Sequence, residues 1–455
     1  MAPCPAQSVL DLIGHTPLLR IGRIDTGPCE LFLKLESQNP GGSIKDRVAL
    51  AMTREAEREG RLRPGGVLVE ATAGNTGLGL ALVGRAKGYR VLLVVPDKMA
   101  EEKMIQLRAL GAEIYLTRSD VGNEHPDYYQ NVAARLAADI PGAFYTDQFT
   151  NPANPKAHEE STGPEILAQM GDNVDAVVCG VGSGGTLTGL TRCFQKHNRS
   201  VDMVLADPEG SVLVPWLQHG VMEQAGSWAV EGIGEDYLPP QADFTAVRRA
   251  YIISDEESFK AARGLLEAEG ILAGSSTGTL LAAALRYCRE QKAPKRVVTF
   301  VCDTGARYLS KVFNPSWTRR RGWGGPSRLG DLRDWVVRRF EDGTAASVSP
   351  GDSTRSALKR MEAAGLTVIP VLDGSGLVGA VEIRTLLAGG ISDPAARTLP
   401  VSHWVSGELP WLDSGADLEL LHDLALRNPM VFVIHEGRPY GFVTPLDLAF
   451  IPEAP

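Results

Sequence analysis

Short β-branched runs alternate with longer helical patterns through the first two-thirds of the chain. Candidate strands lie at residues 31–35, 67–71, 89–95, 113–116, 176–181, 203–206 and 297–302. Several are continuous apolar runs, the pattern of strands covered on both faces of a parallel sheet. Helical stretches fall between them at 44–60, 77–87, 102–110 and 256–268. This alternation predicts an α/β fold.

The pattern breaks near residue 318. The segment 318–330, TRRRGWGGPSRLG, is rich in Arg and Gly, holds a Pro and has no apolar period, so it reads as a linker. Two weakly similar units follow, at 331–390 and 395–455. Each reads as strand, amphipathic helix, apolar strand (368–372 or 431–434), glycine-containing turn and second apolar strand, which is a tandem repeat.

A chain of 455 residues is too long for one ordinary core, which agrees with this division. The net charge of −9 gives no reason to expect nucleic acid or an anionic membrane surface as a partner. Cys4, Cys29, Cys179, Cys193, Cys288 and Cys302 are scattered, without the spacing of a zinc or redox pair, and read as reduced thiols. No metal is expected. No signal segment opens the sequence, and no apolar run reaches the roughly 18 residues of a membrane span. A cytoplasmic protein is expected.

Four loops carry candidate chemistry. In NPGGSIKDR, at 39–47, a Pro-Gly-Gly turn leads into a helix with Ser43 placed to cap it and Lys45 in its first turn. A cation is disfavoured there, so a lysine that spends part of its cycle neutral fits better. TAGNTG, at 72–77, joins a strand to a helix with free backbone N–H groups that suit a carboxylate. GVGSGGTLTG, at 180–189, lets backbone approach a phosphate at a helix start. Its G-x-G-x-x-G register also fits a dinucleotide site, but the expected downstream acid is not clear. ILAGSSTGT, at 271–279, reads as a small-residue loop before a helix at 280–288, with Ser276 as a neutral hydrogen-bonding group.

In this order, these motifs resemble the fold type II family of pyridoxal-phosphate enzymes, which includes cysteine synthase and cystathionine β-synthase. The resemblance runs from about residue 8 to 317, from IGHTPLLRI at 13–21 to RYLSKVF at 307–313. It implies two open α/β subdomains within a catalytic domain at 1–317. It also implies that Lys45 forms the Schiff base with pyridoxal 5′-phosphate and acts as general base. Asn75 would bond the cofactor's ring oxygen. Gly182, Ser183, Gly184, Gly185 and Thr186 would hold its phosphate, and Ser276 its pyridine nitrogen. Thr72, Ala73, Gly74, Thr76 and Gln148 would bind the substrate carboxylate. Ala73 departs from the commoner serine and removes one donor, a loss of roughly 1.5–3 kcal/mol for a bond to a charged group.

The implied reaction is β-replacement through an aminoacrylate. EGIGEDYLP, at 231–239, is closer to the EGIGYDFIP pattern of cystathionine β-synthases than to the QGIGAGFIP pattern of cysteine synthases, although Glu235 stands where an aromatic is often seen. Asp303 in VCDTG and the long stretch 118–140 also lean to cystathionine synthesis from serine and homocysteine. GARYLS and QFTNPANP lean to cysteine synthesis from O-acetylserine and sulfide. A third reading is a non-catalytic adenosyl-sensing scaffold.

The C-terminal repeats, 331–455, resemble a CBS-domain pair. Thr444 and Asp447 in GFVTPLD fit the ribose signature of an adenosyl ligand such as S-adenosylmethionine, while Glu382 and Thr385 of the first repeat have the acidic and threonine positions exchanged. Only seven residues precede Ser8, so no haem is expected. The family resemblance implies a homodimer or higher homo-oligomer.

Overall fold

Every residue of Val67–Ala71 is buried, as is every residue of Ala176–Cys179. Each of these apolar strands is covered on both faces of a sheet. The computed structural model describes residues 5–449 apart from 73, 98, 100, 123, 315–316, 319–320, 322, 324–329, 375, 393 and 406–408. It divides into two compact units, Met1–Val312 and Phe313–Pro455.

The first unit contains strands β1 (Leu18–Arg20), β2 (Glu30–Lys34), β3 (Val67–Ala71), β4 (Arg90–Pro96), β5 (Glu113–Thr117), β6 (Ala143–Tyr145), β7 (Ala176–Cys179), β8 (Asp202–Pro208), β9 (Val247–Ile253) and β10 (Arg296–Phe300). Its principal helices are α1 (Lys45–Arg58), α2 (Asn75–Lys87), α3 (Glu101–Ala109), α4 (Tyr129–Asp139), α5 (Ala153–Ala157), α6 (Gly163–Met170), α7 (Gly185–Lys196), α8 (Leu213–His219), α9 (Asp255–Glu269) and α10 (Ser275–Arg289). The strands form two sheets, ordered β1-β2-β10-β7-β8-β9 and β5-β4-β3-β6. Pairing is parallel except between β1 and β2. Register is set by apolar partners such as Val297 with Leu31 and Leu68 with Val91. The two sheets are the two α/β subdomains of fold type II.

The expected strands and helices are present, with ends that move by a few residues. Two local expectations are corrected. Ile44, not Ser43, is the N-cap of α1, and the Ser43 hydroxyl accepts from Lys45 N at 3.3 Å. Ser43 is bridged to Asp303, so tertiary pairing holds its backbone. The stretch 275–279 is not a loop. It forms the first turns of α10, with Gly274 as N-cap, and all five residues are buried. Small side chains let a helix start sit in the interior. Strands β1, β6 and β9 were not evident from the pattern, because two are three residues long and the third carries Arg248 and Arg249.

The second unit repeats one design. The first repeat holds α11 (Thr354–Ala364), β12 (Val368–Asp373), β13 (Gly376–Glu382) and α12 (Ile383–Ser392), after the short β11 (Arg338–Arg339). The second holds β14 (Trp411–Asp413), α13 (Leu418–Arg427), β15 (Val431–His435), β16 (Arg438–Val443) and α14 (Pro445–Ala449). Both hairpins are antiparallel, and each shifts register at the same place: after Val371, which faces Gly379, and after Val433, which faces Gly441. Most of the expected linker, 318–330, lies outside the described residues. Among the described residues no helix is long and apolar enough to cross a membrane.

Candidate active site

The chain around Lys45 is zipped to the segment that leaves β10. Ile44 N donates to Cys302 O at 2.9 Å, and Thr304 N donates to Gly42 O at 3.0 Å. Gly79 lets α2 pack directly on the start of α1, since a Cβ there would lie 3.0 Å from Lys45 O. Lys45 therefore projects from a fixed helix start into a cavity of about 1000 Å³. Among the described residues no hydrogen bond or ion pair holds its ammonium. Burial pushes its pKa below the ordinary lysine value, opposed by Cys302, Asp303 and Glu235. Loss of hydration is thus the leading cause of the shift.

Asn75 is the first residue of α2. Its amide Nδ2 donates to Asp303 Oδ2 at 2.8 Å, and its carbonyl accepts from Arg307. Tyr308 donates to the same Asp303 oxygen at 2.6 Å. Burial holds the Asp303 carboxyl above the usual range, against these two donors. Its other oxygen, Oδ1, is buried without a partner.

Thr76, one residue further into α2, donates to Gln148 Oε1 at 2.6 Å. Gln148 is aimed there by Asp147, whose φ of +44° is left-handed. Beneath it, Glu70 in β3 accepts from Gln148 N at 3.3 Å and from the Thr146 hydroxyl. Burial raises the Glu70 pKa to about 8. Thr72 and Gly74 complete this loop, with Gly74 N donating to Thr72 Oγ1 at 3.2 Å. Ala73 lies outside the described residues.

The glycine loop runs from the end of β7 into α7. Gly184 is the N-cap with φ +85°, and a Cβ on it would stand 2.6 Å from that of Ala242. A Cβ on Gly182 would stand 2.7 Å from Gly232 O. Ser183 accepts from Asn154 Nδ2 at 2.9 Å. The Thr186 hydroxyl lies 3.3 Å from Nε2 of His158, whose burial keeps the imidazole neutral. Gln241 ties this loop to the previous one, donating to Ser183 O at 3.0 Å and Gln148 O at 2.6 Å. Ser276 closes the far wall beside the Cys302 thiol, which burial pushes up to about 12.

The cavity thus gathers Lys45, Thr72, Gly74, Asn75, Thr76, Gln148, Gly182, Ser183, Gly184, Gly185, Thr186 and Ser276 from distant parts of the chain. In and behind its walls stand residues to which motif reading gave no role. Asn154, His158 and Gln241 act behind the loops. Arg307 and Tyr308 line the wall, and Glu231 stands between Lys103 and Lys311, 2.9 Å from the latter. Their partners are remote in sequence, and the signals available were the motifs that contain Asn154 (QFTNPANP), Arg307 and Tyr308 (GARYLS) and Glu231 (EGIGEDYLP).

In the second unit Asp447 is fully buried. Its Oδ2 accepts from Thr444 N at 2.9 Å, Thr444 Oγ1 at 2.7 Å and Arg338 Nε at 3.1 Å, while Oδ1 has no partner. The carboxylate expected to meet ribose is thus already engaged by an arginine.

Residues 9–303 match the family model described as pyridoxal-phosphate dependent enzyme, and residues 342–389 match that of the CBS domain. A cystathionine beta-synthase of Oryctolagus cuniculus is 35% identical over 452 residues, covering 97% of this chain and 81% of the relative. Cysteine synthase 1 of Neurospora crassa is 41% identical over 323 residues, covering 70% and 85%. Among solved structures, an O-acetylserine dependent cystathionine beta-synthase from Helicobacter pylori superposes with a TM-score of 0.62 at 34% identity, covering 68% of this chain and 99% of that one.

Proposed function

The chain belongs to the pyridoxal-phosphate dependent enzyme family, within the group of cystathionine β-synthases and cysteine synthases, and from that premise we propose that it condenses L-serine with L-homocysteine to L-cystathionine. The observation that carries the proposal is Lys45: an amine with no hydrogen bond or ion pair among the described residues, at the centre of a cavity that also takes a carboxylate loop and a glycine cup.

These residues fit the cofactor. A Cβ at Gly182 or Gly184 would collide with Gly232 O or Ala242, so glycine holds the turn whose backbone N–H groups and the start of α7 suit a phosphate. Lys45 Nζ would hold the carbonyl carbon, and Ser276 would face the pyridine nitrogen. Asn75 Nδ2 has two hydrogens, one given to Asp303, leaving the other for the ring oxygen. Bound there, pyridoxal phosphate supplies the electron sink that acidifies the substrate's Cα–H bond.

The chain's own groups do the rest. Thr72, Gly74 and Thr76, with Gln148, would bind the α-carboxylate. Lys45 takes the Cα proton and later returns it, a role suited to a lysine whose pKa burial has lowered. Glu231, bracketed by Lys103 and Lys311, presents a polar cluster for the second amino acid. The match to the rabbit enzyme across both units also favours cystathionine synthesis.

Cysteine synthesis is the second reading, favoured by the likeness to the fungal cysteine synthase, while the Helicobacter protein's name pairs O-acetylserine with cystathionine synthesis and so bears only on the first substrate. Product analysis with serine and homocysteine, against O-acetylserine and sulfide, decides between them. Preferred cystathionine supports the first reading, and faster cysteine formation overturns it. We further propose a cytoplasmic homodimer or larger homo-oligomer, no requirement for haem, and an adenosyl ligand at Thr444 and Asp447 if Arg338 yields the carboxylate.

A further inference from the structure

Glu235 is the departure in EGIGEDYLP that the family pattern does not explain. Its backbone is fixed on both sides: its N–H donates to Ser211 Oγ at 3.1 Å, and its carbonyl accepts from Val212 N at 3.0 Å. The preceding Gly234 has φ +87°, which turns the chain so that Glu235 lines the same cavity as Lys45. Its carboxyl oxygen Oε1 stands 3.8 Å from where a Cβ on Gly182 would be, beside the glycine cup. Among the described residues, no hydrogen bond or ion pair engages this carboxyl. A half-buried acid, aimed into a reaction cavity and left without a structural partner, has chemistry available to it.

We propose that Glu235 is the proton donor to the departing β-hydroxyl and then the acceptor of the incoming thiol's proton. The inference rests on the reading of serine as first substrate. Hydroxide is a poor leaving group, whereas acetate leaves without protonation, so a serine-using site needs an acid that an O-acetylserine site does not. As the Cβ–O bond breaks, its electron pair stays on oxygen, and the Glu235 proton converts the departing group to water. As the thiol sulfur bonds to Cβ, its proton passes to the Glu235 carboxylate, and the acid is restored. Lys45 handles only the Cα proton. The sum is serine plus thiol giving thioether plus water.

The surroundings suit an acid that is protonated at neutral pH. Burial raises the Glu235 pKa to about 8, and Asp236 and Asp207 act in the same direction, while Lys45 opposes them. Tyr128 and Tyr237 face it as neutral phenols. Loss of a general acid costs on the order of 10²–10⁴ in rate.

The test compares the wild-type holoenzyme with Glu235→Gln, using homocysteine as thiol and either serine or O-acetylserine. The ratio of serine to O-acetylserine turnover is expected to fall about 100-fold or more. Equal losses with both substrates, or an unchanged ratio, would overturn the proposal while leaving the serine reading intact. Failure of the wild type to use serine would sink both. An infrared difference spectrum of the substrate-free holoenzyme, wild type minus Glu235→Gln, gives a readout independent of turnover. A protonated carboxyl band at pH 7 that is lost at high pH is expected, and a carboxylate signal at pH 7 would overturn the assignment.

Discussion

Asn75, at the start of α2, donates to Asp303 beyond the end of β10, 228 residues away in sequence and 2.8 Å away in space. The bond joins the two subdomains' contributions to the cavity, because α2 follows β3 of the small sheet and β10 belongs to the large one. Asn75→Ala leaves the buried Asp303 with one donor fewer. The expected cost is about 1–3 kcal/mol of stability in urea denaturation, with cofactor affinity weakened as well. An unchanged midpoint would show that the bond contributes nothing.

Lys45→Ala should abolish turnover and remove the visible absorbance of cofactor bound through the lysine. The protein should still fold, since the Lys45 side chain has no structural partner among the described residues. A spectrum that is retained in the variant would assign the cofactor linkage elsewhere.

Gly182→Ala places a methyl group 2.7 Å from Gly232 O, at the floor of the glycine cup. Backbone must move, so pyridoxal-phosphate affinity is expected to fall at least tenfold, about 1.4 kcal/mol, with little loss of secondary structure. Titration of the cofactor-free protein followed by circular dichroism checks both statements.

Glu70 makes stability depend on pH. Its folded pKa is about 8 against an ordinary 4.5, so the folded protein holds a proton that the unfolded chain has lost between these values. Stability from this group is fully present below about pH 4.5 and declines as pH rises through 8. Glu70→Gln should therefore stabilise increasingly from pH 5 to 9, while the amide can still accept from Gln148 N. Denaturation midpoints of both proteins across this range test the sign.

Arg338→Ala removes the cation beside Asp447 and leaves a buried carboxylate with only the Thr444 donors. Breaking such a pair typically costs about 3–5 kcal/mol, so the second unit should melt earlier. Arg338→Ala combined with Asp447→Asn should recover part of the loss. Addition of S-adenosylmethionine should raise the melting temperature of the wild type if the ligand displaces Arg338, and no shift would assign this half a purely structural part.

The sequence by itself determined the alternation of β3, β4, β7 and β10 with their helices, because apolar runs and small-residue turns are local signals. Small residues ahead of helix starts also marked the loops at 39–47, 72–77, 180–189 and 271–279, while the roles expected of Lys45, Asn75 and Ser276 came from the family resemblance. Only the tertiary structure decided that Ser43 is bridged to Asp303 while its hydroxyl accepts from Lys45 N, and that Ser276 lies within a helix. It alone showed Gln241 holding two loops together, Asp447 already engaged by Arg338, and Glu235 lining the Lys45 cavity with no partner among the described residues. Burial, the electrostatic neighbours of a side chain and the supply of hydrogen-bond partners come from segments far apart in sequence. These interactions exist only once the sheets have brought the segments together.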